Sequence, residues 1–207
     1  PSHNGGSTDA FLSLISYNGT HILASTYFGS NAFDNAFFFI IDRFNNQYIY
    51  GQTKAQGSTL VYNALYNIPN SGQFFAKFSP DLKSRIWSTV WGSGNGKKNI
   101  SPTAFSIDIC GRIYASGWAG GPTFGELSTN NLQTTPDAFQ SITDGEDFYI
   151  MSIPSNASYL DFATFIGENN SYDHVDGGTS RFDRFSNLYQ TVCASCGGTD
   201  GFPTTIN

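Results

Sequence analysis

Two short motifs in the last third of the chain carry the residue types that enzymes use. Cys193-Ala194-Ser195-Cys196 has the C-x-x-C spacing of a redox pair, and His174-Val175-Asp176 places an imidazole two positions from a carboxylate. A catalytic C-x-x-C needs its first cysteine at a helix N-terminus, where the thiol pKa falls, but this pair follows a strand-like run. The histidine would need a nucleophile or second carboxylate converging on it, and the sequence identifies none. We therefore predict no catalytic residues and no enzymatic activity.

The three cysteines leave several arrangements open. We favour a short disulfide between Cys193 and Cys196, of the kind that exported proteins carry, with Cys110 buried and free. A reduced pair is one alternative. A tetrahedral zinc site made of the three cysteines and His174 is the other, because zinc prefers these ligand types. The structural interpretation of His174 is a local hydrogen bond in a Gly-rich loop.

Three acidic and amide-rich turns could supply oxygen ligands. They are Asp144-Gly145-Glu146-Asp147, Asn169-Asn170-Ser171-Tyr172-Asp173 and Asn31-Ala32-Phe33-Asp34-Asn35. Calcium binds side-chain and backbone oxygens of this kind, but the EF-hand pattern is absent and ordinary turn chemistry accounts for most of these residue types. We predict no cofactor and no metal ligand, with calcium kept as the alternative.

Aromatic side chains could form a stacking platform for sugars. Trp87 and Trp91 are four residues apart and so point to one face of a strand. Packing in the core is the favoured role of these rings. If instead Trp118 were exposed on a rim together with acidic or amide side chains, it could bind surface glycans. The candidate ligand-binding residues are therefore Trp118, His174 and Asp176.

These motifs lie among short runs that are typical of β-strands. The clearest unit spans Phe74 to Gly117 and holds four runs in which aromatic and β-branched residues alternate with small or polar ones. Turn-forming residues close each run. Four such strands in sequence predict an antiparallel meander. No long stretch has apolar residues at helical spacing, so we predict an all-β fold.

The same unit recurs before and after this stretch. An aromatic residue precedes a Thr by 15 residues in the first two copies and by 16 in the third, a Gly follows that Thr by three, and an Asp precedes a Tyr by six. We interpret Thr and Gly as positions for close packing, Asp as the opening of a hairpin and Tyr as filling of the core. The positions are Phe11, Thr26, Gly29, Asp42 and Tyr48, then Phe74, Thr89, Gly92, Asp108 and Tyr114, then Phe148, Thr164, Gly167, Asp183 and Tyr189.

A repeat of four short strands at this length predicts the blades of a β-propeller. We assign residues 1–72, 73–146 and 147–207 to three four-stranded blades that together form one domain. Propellers close with about four to eight blades. We therefore expect this chain to be part of a larger propeller, with its open faces covered by further blades or domains of a parent chain, or by copies of itself.

Composition excludes two classes of partner. The formal net charge is −6, the isoelectric point is about 4.8, and Lys97-Lys98 is the only basic pair, so nucleic-acid binding has no electrostatic basis. No apolar run approaches membrane-spanning length, and the run at residues 37–41 is short enough to be a buried strand.

Several motifs resemble a known repeat. Asp9-Ala10-Phe11, Ser25-Thr26-Tyr27-Phe28-Gly29, Asp42 with Tyr48, and Phe202-Pro203-Thr204-Thr205 resemble the seven-bladed β-propeller repeat known as SBBP. Residues 101–105, 110–118, 174–183 and 192–198 are similar to a segment of very large surface proteins of gliding bacteria. This resemblance implies export by type IX secretion and a place at the bacterial cell surface among gliding-motility-associated proteins.

These observations together lead to a functional expectation. We expect a non-catalytic scaffold or adhesion module of a large secreted bacterial surface protein. The alternatives are a carbohydrate-binding propeller and, after it, an enzyme that acts on polysaccharides. Exposed aromatic residues on one rim would favour the first alternative, and two converging carboxylates in a pocket would favour the second.

Overall fold

The computed structural model describes residues 3–121, 127–174, 180–196 and 201–205. Within these ranges the chain forms antiparallel strands joined by turns and contains no helix, which confirms the prediction of an all-β fold. None of the described residues belongs to a helix long and apolar enough to cross a membrane.

The strands are short, as the alternating runs predict. In chain order they are β1 (Ala10–Ile15), β2 (Ile22–Phe28), β3 (Asp34–Ile41), β4 (Gln47–Thr53), β5 (Gln73–Phe78), β6 (Arg85–Trp91), β7 (Ser101–Ile107), β8 (Ile113–Trp118), β9 (Phe148–Ile153), β10 (Phe162–Ile166), β11 (Tyr172–His174), β12 (Arg181–Phe182), β13 (Leu188–Tyr189) and β14 (Cys193–Cys196).

The chain divides into two compact units, residues 1–97 and 98–207. The first unit holds the hairpin β1-β2 and the four-stranded sheet β3-β4-β5-β6. The second holds the sheet β10-β9-β8-β7 and the short pairs β11-β14 and β12-β13. Each four-stranded sheet is a meander of consecutive strands. The division of the sequence into blades at 1–72, 73–146 and 147–207 stays a prediction.

The sheets do not follow the repeats of the sequence. The prediction that the strands between Phe74 and Gly117 form one meander is wrong, because β5 and β6 join β3 and β4, whereas β7 and β8 join β9 and β10. The pairing of β4 with β5 runs from Gln47 opposite Phe78 to Gln52 opposite Gln73, across a long connection. Each four-stranded sheet therefore combines the last two strands of one repeat with the first two of the next.

The recurring threonines occupy equivalent positions in three hairpins. Their partners on the preceding strand are Leu12 for Thr26, Phe75 for Thr89 and Ile150 for Thr164. In the same register, Tyr149 takes the place that Phe11 and Phe74 hold in the other two hairpins. Phe148, which the sequence analysis assigns to that place, lies one position earlier, opposite Ile166. The true spacing to the threonine is thus the same in all three copies.

Two of these threonines tie a strand to its connecting loop. The hydroxyl of Thr89 donates a hydrogen bond to the carbonyl of Tyr66. The hydroxyl of Thr164 bonds to the carbonyl of Gln140 at 3.3 Å and accepts the Gln140 N–H at 3.0 Å. Thr26 bonds only to the carbonyl of its neighbour Tyr27, at 3.3 Å. A buried hydroxyl paired in this way fixes the course of the loop.

The recurring aspartates form one turn three times. The carboxylate of Asp42, Asp108 or Asp183 accepts the N–H two residues later at 2.8 Å and the N–H four residues later at 2.9 Å. A residue with positive φ stands three positions after the aspartate, namely Asn45, Gly111 and Ser186. This is a hairpin turn closed by a left-handed residue, which confirms that the aspartate opens each hairpin.

The tyrosine six positions later differs among the copies. Tyr48 is buried and its hydroxyl lies 3.1 Å from Asp42, Tyr114 is half-buried and lies 3.3 Å from Asp108, and Tyr189 is exposed. Burial and the nearby Asp42 charge raise the pKa of Tyr48 above its ordinary value. The prediction that this tyrosine fills the core therefore holds for Tyr48 and fails for Tyr189.

The core of the first unit lies between the hairpin β1-β2 and the four-stranded sheet. Leu12 and Phe28 from the hairpin pack on Ile49, Phe74 and Val90 from the sheet, and all five are buried. The rings of Phe28 and Phe74 lie 5.1 Å apart. Full burial of side chains of this size contributes about 1.5–3 kcal/mol each, so face-to-face packing holds hairpin and sheet together.

Other apolar side chains of the first unit remain exposed. On β1 they are Phe11 and Ile15, and on β3 they are Phe37, Phe39 and Ile41, each close to half exposed. Within the described residues β1 pairs with β2 along one edge only, and β3 is the terminal strand of its sheet. Exposed strand edges with apolar faces are sites where further strands add.

Candidate functional site

The most unusual side chain of the second unit is Asp147. It directly precedes β9, and Gly167 directly follows β10, so the pairing of Phe148 with Ile166 brings the two residues side by side. A β-carbon on Gly167 would overlap the carboxylate of Asp147. The fold thus requires glycine here because the aspartate occupies the space of a side chain.

A second carboxylate faces the same position. Asp173 lies in β11, is fully buried and accepts the N–H of Glu168 at 2.9 Å. Its Oδ2 atom would lie 2.9 Å from a β-carbon on Gly167. One oxygen of Asp147 and one of Asp173 therefore lie around a single methyl-sized position, and we call this arrangement the acidic cradle.

The carboxylate of Asp147 is buried, and no hydrogen bond within the described residues compensates for its loss of hydration. The residue is 1% exposed, and neither carboxylate oxygen has a hydrogen-bond partner. Burial raises the pKa of Asp147 to about 6; Asp144 and Asp173 add to the rise, while Thr143 and Gln140 oppose it. Both opposing side chains also have other partners: the Thr143 hydroxyl pairs with the Thr129 hydroxyl at 2.5 Å, and Gln140 donates one amide N–H to the carbonyl of Ile142 at 2.9 Å.

Two of the predicted oxygen-rich turns meet at the acidic cradle. The N–H of Asn170 donates to Asp144 Oδ2 at 2.5 Å, and the N–H of Asp173 lies 3.4 Å from the carbonyl of Glu146. Burial, together with the Asp144 charge, raises the pKa of Glu146. The structure therefore concentrates negative charge where residues 144–147 and 169–173 converge.

The first unit repeats this geometry with different partners. Asp9 and Asp34 face Gly29 in the same way, and Asp34 Oδ2 would lie 3.0 Å from a β-carbon there. Asp34 is saturated: it accepts the N–H and hydroxyl of Ser30 and the hydroxyl of Thr53. Asp9 Oδ2 accepts the Asn4 N–H at 2.5 Å and lies 3.4 Å from His3 Nε2, although Asp9 Oδ1 has no partner.

The corresponding place beside β5 and β6 has no acid at all. Gly72 directly precedes β5 where Asp9 precedes β1 and Asp147 precedes β9, and Gly92 takes the place of Gly29 and Gly167. The hairpin β5-β6 forms in the same register with glycine at both places. An acidic residue before the first strand is therefore not needed to build the hairpin.

The cysteines are placed as follows. Cys193 is disulfide-bonded, whereas Cys110 is free. The side chain of Cys196 lies outside the described residues, so its pairing with Cys193 stays a prediction. Cys110 is exposed, and the prediction that it is buried is wrong, because the hairpin turn opened by Asp108 directs it to solvent as it does Phe44 and Phe185 in the equivalent turns. Within the described ranges no group of three or more His, Cys, Asp or Glu side chains could hold a metal, and the zinc alternative has no support there.

Of the three candidate sugar-binding residues, the structure brings Trp118 and His174 together. His174 is buried, and its ring lies 5.7 Å from the half-buried ring of Trp118. Asp176 lies outside the described residues. Trp87 and Trp91 are buried, in contact with Tyr48 and with Tyr50 respectively, and so belong to the core as expected.

Sequence reasoning missed the acidic cradle as a unit. The turns that contain Asp147, Asp173 and Asp34 are predicted as separate oxygen-rich turns, and the pairing of Asp147 with Gly167 is not predicted. A usable signal was present: Asp stands directly before the first strand of a hairpin, and Gly directly after the second, in two copies of the repeat.

Comparison with known proteins adds no family assignment. No protein-family model matches this sequence, and no curated protein is significantly similar to it.

Proposed function

We propose that this chain is a non-catalytic β-repeat scaffold, a portion of a β-propeller that serves as a scaffold or adhesion module in a large secreted protein of a bacterial cell surface. The observation that carries the proposal is the threefold hairpin turn of Asp42, Asp108 and Asp183, with the same hydrogen bonds each time. A residue repeated in every copy serves the architecture, because a catalytic site needs its residues once.

The sheets support the propeller interpretation. Propeller blades are four-stranded sheets of consecutive antiparallel strands, and the sheets β3-β4-β5-β6 and β10-β9-β8-β7 have this form. In the first unit the hairpin β1-β2 packs face-on against the next sheet, as neighbouring blades do. The hairpin β1-β2 corresponds in sequence to the hairpin β5-β6, which forms two of the four strands in the sheet β3-β4-β5-β6.

The partners in this proposal are further strands of the same repeat type. Phe11 and Ile15 on β1 are 53% and 55% exposed. Strand β1 pairs only with β2 among the described strands, whereas the equivalent strand β5 pairs with β4 as well as with β6. A hairpin like β3-β4, added to the open edge of β1, would complete a third four-stranded sheet. Other repeats of a parent chain, or a second copy of this one, could supply it.

A protease-accessibility experiment tests the proposed location. Intact cells of the source organism are treated briefly with trypsin, and released peptides are identified by mass spectrometry. We expect tryptic peptides that end at Lys54, Lys83 and Lys97, which are exposed and lie outside the strands, to be released without lysis. Their appearance only after lysis would contradict a surface location.

A binding experiment separates the scaffold from the glycan-binding alternative. The purified chain and its Trp118→Ala variant are compared on an array of bacterial and host polysaccharides. We expect no binding that depends on Trp118. Glycan binding that the variant loses would overturn the scaffold proposal in favour of a carbohydrate-binding module.

A further inference from the structure

Within the acidic cradle of the second unit, the charge of Asp147 is not compensated by any hydrogen bond or ion pair from the described residues. Asp147 makes neither a hydrogen bond nor an ion pair within them, and it faces the buried Asp173 across one methyl-sized position. Two carboxylates buried in this way repel each other and lack the solvation that water would give. A cation bound by both carboxylates would relieve this repulsion.

The side chains around this position offer a consistent set of ligands. Four side chains offer oxygen atoms there: the carboxylates of Asp147 and Asp173, the side-chain carbonyl of Gln140, which accepts the Gly167 N–H at 3.1 Å, and the hydroxyl of Thr143. Among the residues that the structure describes, no thiol or imidazole takes part. Hard oxygen ligands of this kind favour calcium over zinc or copper.

The other copies of the repeat show that Asp147 is not a requirement of the fold. Gly72 stands at the same place before β5, and the hairpin there has the same register. In the first unit the equivalent Asp9 is partly satisfied by Asn4 and His3, and Asp34 by Ser30 and Thr53. The second unit alone keeps the acidic pair with one member entirely unpartnered.

We propose that Asp147 and Asp173 bind a calcium ion in the second unit, with Gln140 and Thr143 contributing further oxygens and water completing the coordination shell. The ion neutralises the buried pair and joins the turn at residues 144–147 to β11. Asp9 and Asp34 in the first unit do not bind one. The site goes beyond the scaffold role and does not depend on it.

Calcium itself is the probe. Thermal unfolding of the whole chain is followed by calorimetry at neutral pH in excess EDTA and in about 1 mM calcium, a concentration at which extracellular calcium modules are occupied. We expect calcium to raise the Tm of one transition by about 4 °C or more. The Asp147→Asn variant should lose the shift, and the matched control Asp9→Asn should keep it.

A direct binding measurement guards against variants that fail to fold. Terbium replaces calcium at oxygen sites, and we expect Tyr149, two residues after Asp147, to sensitise its luminescence. Saturable luminescence in the unmodified chain, displaced by calcium, would support the site. Absence of both saturable luminescence and a calcium-dependent Tm in the unmodified chain would overturn it, as would an equal calcium shift in Asp147→Asn.

Discussion

The carboxylate of Asp147 packs directly against the Cα of Gly167, in the space that any β-carbon at that position would need. Asp9 and Gly29 repeat the relationship in the first unit. The glycine that closes the small-Thr-x-x-Gly pattern is thus explained, in these two hairpins, by an acidic neighbour on the adjacent strand.

This contact makes the two positions interdependent. We expect Gly167→Ala to lower the free energy of unfolding of the second unit by about 1–3 kcal/mol, because the new methyl group displaces a buried carboxylate. In an Asp147→Gly background, which copies the Gly72 arrangement, the same substitution should cost about 1 kcal/mol less. Urea unfolding of the four proteins in this cycle measures the coupling. Equal costs in both backgrounds would show that the carboxylate does not restrict Gly167.

The hairpin turn of Asp42 predicts acid sensitivity. Burial raises the pKa of Asp42, but hydrogen bonds from Asn46, Phe44 N–H and Tyr48 outweigh it and leave the pKa below its ordinary value of 3.8. The ionised form is thus favoured in the folded state. Its contribution is fully present above the unfolded pKa and is lost as the pH falls through the lower folded value.

We therefore expect Asp42→Asn to lower stability at neutral pH and to flatten the loss of stability below about pH 4. Chemical unfolding at several pH values, compared with the unmodified chain, provides the measurement. A variant with the same acid dependence as the parent would show that Asp42 does not titrate with folding.

The threonine hydroxyls should differ in importance although their positions are equivalent. Thr89→Val removes the hydrogen bond to the Tyr66 carbonyl in a buried site, and we expect a loss of about 1–2 kcal/mol. Thr89→Ser keeps the hydroxyl and should recover most of that loss. Thr26→Val should change stability by less than about 0.5 kcal/mol, since Thr26 bonds only to its neighbour. Similar losses of stability for Thr26→Val and Thr89→Val would contradict the conclusion that the bond to the loop carbonyl of Tyr66 makes Thr89 important.

The cysteines should respond differently to thiol reagents. Cys110 is exposed and free, so we expect it to be alkylated by iodoacetamide in the native protein. Peptide mapping under non-reducing conditions should show Cys193 joined to Cys196, with alkylation of both only after reduction. Cys110→Ser should leave thermal stability unchanged. Native labelling at Cys193 would contradict the disulfide.

The sequence predicts the local features of this fold well. The Asp42, Asp108 and Asp183 turns are encoded within five residues, and the alternation of side chains marks each strand, so both follow from short-range chemistry. Tyr149 shows the limit of that approach. Both Phe148 and Tyr149 suit the aromatic position, and only the backbone register with Thr164 decides between them.

Short-range chemistry does not predict which hairpins join to form each four-stranded sheet. The link from Trp91 to Ser101 is shorter than the link from Thr53 to Gln73, yet the strands around the longer link are the ones that pair. Sequence neighbours are usually spatial neighbours, and here that expectation selects the wrong partner. The acidic cradle could not be predicted for the same reason, because Asp147 and Gly167 come into contact only when β9 and β10 are paired.

The two-strand offset between repeat and sheet affects how such a chain can change in length. The second repeat contributes its first hairpin, β5-β6, to one four-stranded sheet and its second hairpin, β7-β8, to the other, so this repeat links the two sheets covalently. Deletion or duplication of one whole repeat, by recombination between similar copies of the coding sequence, would again join a hairpin like β3-β4 to a hairpin like β5-β6. No strand is left without a partner inside the array, and the number of sheets changes by one. A chain built in this way can evolve by whole sheets, and the aspartate turn in the second hairpin of each repeat passes on intact.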